Sequence, residues 1–281
     1  MRLLSIGLSD IKNAKQAVTE SAARMSSGSR VNHIGSDQVA LSLSSKQEAH
    51  STSLTKAGSN IQDGVSIAQT IEGSVSEIVN ILVRARELAV QAANEVYDSD
   101  QRGATDIEFR AILEEVDQIA TRSSYNGRNL MDGSINSMSL QVGKDNNADN
   151  RITIDLDDYN SRLSNIDVGG GLTLDDVRSG TTGGIDTATK AESQISRIDT
   201  ALDAFTEMRT KLGSTINRLD STLSNLMEEQ ISLEKSSSTI ADVDYAKESS
   251  QMFRSQMQLQ SSTAALKEVS SIYRSNLSLI T

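Results

Sequence analysis

Glu114, Glu115 and Asp117 fall within one helical turn, and three carboxylates so placed could do general acid–base work or hold a divalent cation. A second set, Asp145, Asn147 and Asp149, copies the first three ligand spacings of a calcium-binding loop. Gly169, Gly170 and Gly171 form a third, a glycine run of the kind that cradles phosphate. Each set lacks what its chemistry requires. No His or Cys stands near the first, so a solvated helix face is expected. In the second, Asn150 and Leu156 occupy the places where a calcium loop needs its turn Gly and its closing Glu, so a polar loop is expected. No Lys-Ser/Thr pair follows the glycines and no strand-to-helix junction frames them, so they read as a turn-rich loop. The histidines are His33 and His50, Cys is absent, and HExxH-type spacing does not occur. No constellation for an enzyme is present, and no metal or cofactor is expected.

The elements that carry these residues are long helices. From Thr187 to Glu234, Ile195, Ile198, Leu202, Phe205, Leu212, Ile216, Leu219, Leu223, Leu226 and Leu233 recur at steps of three and four, with Arg209 and Gln230 interrupting the row. This is a coiled-coil heptad, and at 1.5 Å per residue such a helix runs roughly 70 Å. It needs a partner along its length. Leu54, Ala57, Ile61, Gly64, Ala68, Ile71, Val75, Ile78, Leu82, Ala85, Ala89, Ala92 and Val96 repeat the spacing, with small residues that allow close approach. The two helices should zip antiparallel, leaving the middle of the chain at one tip and both termini at the other.

Composition agrees. Aromatic residues are 3% of the 281, Trp and Pro are absent, and the net charge is -11. A core without large rings suits a thin seam between helices, and the lack of Pro leaves helices uninterrupted. The acidic balance argues against a nucleic-acid partner. No stretch approaches the roughly 20 apolar residues of a membrane span. The apolar run at Met1–Leu8 is too short for a signal-peptide core, so export through a cleavable signal is not expected.

In chain order, Leu4, Leu8, Ile11, Val18, Ala22 and Met25 mark a first helix, and Ser26–Ser29 with Gly28 end it. After the first long helix, Ser99 or Asp100 is expected to cap a third, with Phe109, Ile112, Val116 and Ile119 on one face. Met138, Leu140 and Val142, then Ile152, Ile154 and Leu156, alternate with polar residues and predict a β-hairpin. Ser236–Thr239 break the heptad of the last long helix, and a final helix from about Tyr245 carries Met252, Leu259, Leu266, Val269, Tyr273, Leu277 and Ile280. The expected fold is mainly α: a long antiparallel helical rod, or coiled-coil bundle, with a small β-hairpin near the tip and paired terminal helices. Its parts are terminal helices at 1–27 and 245–281, connectors at 28–40 and 236–244, and a rod at 41–235. The rod holds three long helices, a hairpin at about 137–156 and a Gly-rich tip at 157–187. A two-helix terminal pair cannot bury both its sides, so copies of the chain should cover one another. The polymerising stripes are then Leu4, Leu8, Ile11, Val18, Met252, Leu259, Leu266, Val269, Leu277 and Ile280.

The blocks Arg24–Asn32 (RMSSGSRVN), Asn60–Gly73 (NIQDGVSIAQTIEG), Arg86–Asn94 (RELAVQAAN), Leu113–Ala120 (LEEVDQIA) and Ala241–Glu248 (ADVDYAKE) resemble bacterial flagellin, in the order that family carries them. The resemblance spans about the first 130 and the last 95 residues. It implies a secreted structural subunit that self-assembles into the helical filament of the bacterial flagellum, with the terminal helices lining an inner tube and the rod forming an outer one. Larger members insert further domains where this chain has 157–187, so it looks like a minimal form. It also implies export through the flagellum's own type III apparatus, an export chaperone over about Tyr245–Thr281, and contacts with the filament cap and hook-associated junction proteins. In some flagellins a host toll-like receptor reads an outer patch, which aligns with Arg84, Leu88, Gln91 and Glu108. Val83 stands where Gln is usual, and subunit packing is the expected first role of these residues. Three departures are visible: the usual opening run resembling Ile-Asn-Thr-Asn is not seen, Ser36 replaces a usual Asp, and Tyr273 stands where Pro is common.

Other classes fit less well. A hook–filament junction protein shares terminal helices, but its blocks are less similar, above all around Ala241–Glu248. A chemoreceptor-like signalling hairpin predicts a tight helical turn at the tip, where this chain has strand-patterned, Gly-rich sequence.

Overall fold

The computed structural model describes residues 2–31, 37–179 and 183–278, with side chains at 8–31, 37–179 and 183–272. With no Pro to cut the apolar repeats, helices dominate: α1 (Arg2–Ser27), α2 (Gln38–Ala93), α3 (Ser99–Arg122), α4 (Leu174–Ser179), α5 (Ala188–Ala241) and α6 (Tyr245–Ser278). Two antiparallel hairpins pair β1 (Ser124–Tyr125) with β2 (Arg128–Asn129), and β3 (Ser137–Gln141) with β4 (Arg151–Asp155). The mainly helical class expected from the heptads is what the chain adopts. Two compact units result, one from the residues up to Thr52 and from Glu229 onward, the other from Ser53 to Glu228.

In the second unit the α2 row is buried from Leu54 through Ala92. Val96 does not belong to it: α2 stops at Ala93, and Val96 stands in the following turn, 86% exposed. From α5 come Ile198, Phe205, Leu212, Leu219 and Leu226, but the buried row also takes Ala191, Gln194 and Ala201, while Ile195, Leu202 and Ile216 are half-buried. The pairing is antiparallel: a Cβ on Gly58 would lie 3.7 Å from Leu223, one on Gly64 3.5 Å from Leu219, and Arg86 meets Asp199 at 2.6 Å.

The cap of α3 falls one residue earlier than expected. Asp98 accepts from the amides of Asp100 and Gln101, and Gln101 accepts in return from the Asp98 amide, a capping box. The buried face is correspondingly Phe109, Leu113, Val116 and Ala120, with Ile112 and Ile119 half-buried at its margin. Asn126 and Gly127, at φ 49° and 74°, turn the chain between β1 and β2, as an Asn-Gly pair does in a type I′ hairpin. In the larger hairpin Met138 faces Ile154 and Leu140 faces Ile152. Leu140 lies over Gly64, where any Cβ would come within 2.3 Å of it, and Asn60 Nδ2 donates to the Gln141 carbonyl at 2.8 Å. The β-hairpin is thereby seated on α2.

Residues 157–187 are not simply a loop. They include a 3₁₀ turn at Asp157–Tyr159, the short α4, and buried Tyr159, Leu163, Ile166, Val168, Leu174, Val177 and Ile185. Elements this short show no readable periodicity, and the apolar residues were masked by the glycines among them. Asp106 ties this segment to α3: it accepts from the Ile185 amide and from Arg110 Nε, both at 2.6 Å, while Arg110 also donates to the Arg178 carbonyl at 2.7 Å.

At the start of α4, Thr173 donates its amide and its hydroxyl to Asp176 Oδ2 at 2.8 and 3.0 Å. The two bonds hold the Asp176 carboxyl below its usual range, the amide bond contributing most. A depressed folded-state pKa stabilises above the unfolded value near 3.9 and is lost as pH falls through the lower folded value. Amide protection over 173–179, measured relative to the intrinsic exchange rate at each pH, should therefore fall on acidification below about pH 4, and Asp176→Asn should remove that dependence. Unchanged protection down to pH 2 would contradict this.

Candidate functional site

The first unit is held together where α1 ends and α6 begins. Gly28, at φ 69°, turns the chain out of α1, and Ser29 then bridges Asp242 antiparallel. Two main-chain bonds flank the bridge: the Arg30 amide donates to Ala241 O at 2.7 Å and the Val243 amide to Gly28 O at 3.0 Å. The last carbonyls of a helix have no partner within it, and here each helix is finished by the other strand of chain. Arg30 donates Nε and Nη2 to Ile240 O at 3.3 and 2.8 Å, closing the end of α5. Tyr245 Oη donates to Met25 O at 3.1 Å, closing the end of α1. Arg24 and Glu248, both largely covered, pair at 2.8 Å beside them.

The two connectors thus lie side by side, within the described residues. The second is shorter than expected, because α5 continues through Ser236–Thr239 to Ala241. The hydroxyls that looked like helix breakers are absorbed instead: Thr239 donates to Lys235 O and Ser238 to Asp242.

From this latch α1 and α6 run antiparallel as a pair. Its innermost positions are small: Ala14 4%, Ser21 0% and Ser255 5% exposed. Of the predicted polymerisation residues, Ile11, Val18, Met252, Leu259, Leu266 and Val269 are half-buried at the edges of this seam, and Leu8 is exposed. The side chains of Leu4 and Leu277, and Ile280 as a whole, lie outside the described residues. A seam of small residues brings the helices close and leaves their large apolar groups only partly covered. Phe253 and Met257, absent from the predicted stripe, are 60% and 69% exposed. Their signal was an i,i+4 apolar pair lying off the main row.

The predicted receptor patch sits on the second unit. Arg84 bridges Glu87 at 3.0 Å and Glu108 at 3.1 Å, and these bonds, Glu87 first, raise its pKa further. Gln91 is exposed, whereas Leu88 is buried. Arg84 and Glu108 are therefore brought together, while Leu88 is turned into the core.

The three sets that could have done chemistry are engaged otherwise. Asp117 faces Arg162 at 3.5 Å, and Glu115 faces Arg122 at 3.9 Å. In the polar loop, Asn147 Oδ1 accepts from Asn150 and the Asp145 carbonyl accepts from Gln141. Among the described residues no three His, Asp or Glu side chains converge as a metal site. Gly169, Gly170 and Gly171 all have positive φ and stand exposed, the Gly169 amide being taken by Asp167 at 2.8 Å. No helix among the described residues is long and apolar enough to cross a membrane.

Comparison with known proteins bears on what the latch and pair belong to. Residues 4–136 match the model of the bacterial flagellin N-terminal helical region, and residues 195–280 that of the bacterial flagellin C-terminal helical region. A flagellin of Halalkalibacterium halodurans is 36% identical over 245 residues, 87% of this chain and 85% of that one. A flagellin of Bacillus subtilis is 31% identical, over 93% of this chain and 92% of its own length. The solved structure of a provisionally described flagellar hook-associated protein from Vibrio parahaemolyticus shares the fold at 15% identity, with a TM-score of 0.60 over 74% of this chain and 100% of that one.

Proposed function

Since the chain belongs to the bacterial flagellin family, and is a structural subunit that polymerises into the helical filament used for motility, we propose that the α1–α6 pair is its polymerising surface. The observation that carries this is the exposure of large apolar side chains on that pair, Leu8 at 56% with Phe253 and Met257 beyond it. Exposed apolar rows on a helix pair mark a surface made to be covered, and in a homopolymer the cover is another copy. In this reading the α1–α6 pair lines the inner tube and the rod at 41–235 belongs to the outer one.

The relatives at 31–36% identity are flagellins, which favours the filament subunit over the hook–filament junction protein. The proposed setting is extracellular: export through the flagellum's own type III apparatus, a chaperone over residues 245–281 beforehand, and cap and hook-associated proteins at the filament's ends. A host toll-like receptor would meet Arg84, Gln91 and Glu108, whose first task here is packing between subunits.

Deleting residues 1–25 or 245–281 tests the assembly surface. Each deletion should leave a soluble monomer whose second unit stays folded and which no longer elongates filament seeds under the electron microscope. Filaments that still grow after both deletions would refute the proposal.

A further inference from the structure

Helix α6 carries apolar side chains on two opposite faces. Ser255, nearly fully buried, marks the face against α1. At about 100° per residue, Phe253 and Met257 each lie roughly 160° around the helix from Ser255. Ala246 and Ala264, one heptad from each of them, extend this outer row and are exposed as well. A helix apolar on opposite faces needs cover on both. The first is supplied by α1, and the second is left for an incoming copy of the chain, because this subunit polymerises.

The outer row contains a thioether that stands apart from the others. Of the eight methionines, Met1 lies outside the described residues; among the other seven, Met131 is fully buried, Met25, Met138, Met208 and Met252 are half-buried, and Met227 is 51% exposed against 69% for Met257. We infer that Met257 is an oxidation-sensitive site, at which a peroxide acting on the free subunit decides whether that subunit can be incorporated, an inference that rests on the α1–α6 pair being the polymerising surface.

The step is a two-electron oxygen transfer. The Met257 sulfur attacks one oxygen of hydrogen peroxide, the O–O bond breaks, an S–O bond forms, and the second oxygen leaves as water after proton transfer. Sulfur is oxidised and peroxide reduced. The product is a polar, chiral sulfoxide in place of a flexible apolar group, set beside Phe253 in a row that assembly would bury. Burial of that row strips water from the new oxygen, which costs free energy that the apolar thioether did not. Once a copy covers the row, the sulfur is shielded, so sensitivity belongs to the unassembled subunit.

The test treats the full chain with hydrogen peroxide, maps oxidation by peptide mass spectrometry and measures elongation from filament seeds. Met257 should be oxidised ahead of the other methionines, helical circular dichroism should persist, and elongation should slow on the order of tenfold. Met257→Leu should elongate at the same rate before and after peroxide treatment, Met227→Leu should give no protection, and Met257→Gln should slow elongation without any oxidant. Normal elongation by chains oxidised at Met257, or no protection from Met257→Leu, would overturn the inference. The 245–281 deletion separates the two levels: elongation that survives it sinks the assembly surface itself. Elongation lost on deletion but indifferent to oxidised Met257 sinks this inference alone.

Discussion

Gly184→Val should cost the second unit about 3 kcal/mol or more, summing the strain of a β-branched residue at positive φ and the loss of a charge-assisted hydrogen bond. Gly184 sits at φ 81°, where a Cβ would come within 2.3 Å of Arg110 Nη2 and 2.5 Å of Asp106 Oδ1. Those two groups cannot withdraw cheaply, since Asp106 receives the Ile185 amide and Arg110 reaches the Arg178 carbonyl. The substitution therefore strikes two attachments of the 157–187 segment to α3 at once. Urea unfolding followed by circular dichroism should show the midpoint falling, with Gly184→Ala losing less. An unchanged midpoint for Gly184→Val would mean that the chain can enter α5 by another path.

Phe205→Ala should be comparably damaging, about 3 to 5 kcal/mol, through lost transfer energy and the cavity left behind. Phe205 is fully buried on α5, and with Phe109 it is one of the two phenylalanines in this core. A chain with so few rings has little with which to fill the gap. The surrounding α2 row is Ala, Ile, Leu and Val on long helices, whose backbones cannot collapse inward locally. The loss should appear as a urea midpoint lowered by about 1 to 2 M, and Phe205→Leu should recover much of it. A loss below 1 kcal/mol would contradict the packing described.

The long helices were legible because their apolar residues recur over many heptads, and repetition outweighs single exceptions such as Arg209. What the pattern missed were buried positions held by residues that are not large and apolar. Gln194, Ala191 and Ala201 fill the α5 seam, yet neither Ala nor Gln stands out in an apolar count. The same blindness concealed the core of the terminal pair, which is Ala14, Ser21 and Ser255 rather than the Leu and Ile that draw the eye. Helix α4 went unseen because six residues make less than two turns. The latch could not be inferred from spacing at all, since Arg30 and Ile240 are 210 residues apart. It was nevertheless hidden in plain text: Arg24–Asn32 and Ala241–Glu248 are two of the blocks that resemble flagellin, and residues 24–30 of the first close on the second. At the candidate chemical sites the negative reading came from missing completing residues, and of the helix carboxylates Asp117 faces Arg162 and Glu115 faces Arg122.

The Arg24–Glu248 bond joins residues 224 positions apart, which sets a clock on the molecule's own birth. At about 5 to 20 residues per second, the ribosome needs roughly 10 to 45 s between making one partner and the other. Throughout that interval the first-made helix has no mate, and contacts closing so large a loop are the slowest a fold can form. A newborn subunit therefore spends its early life with loose ends.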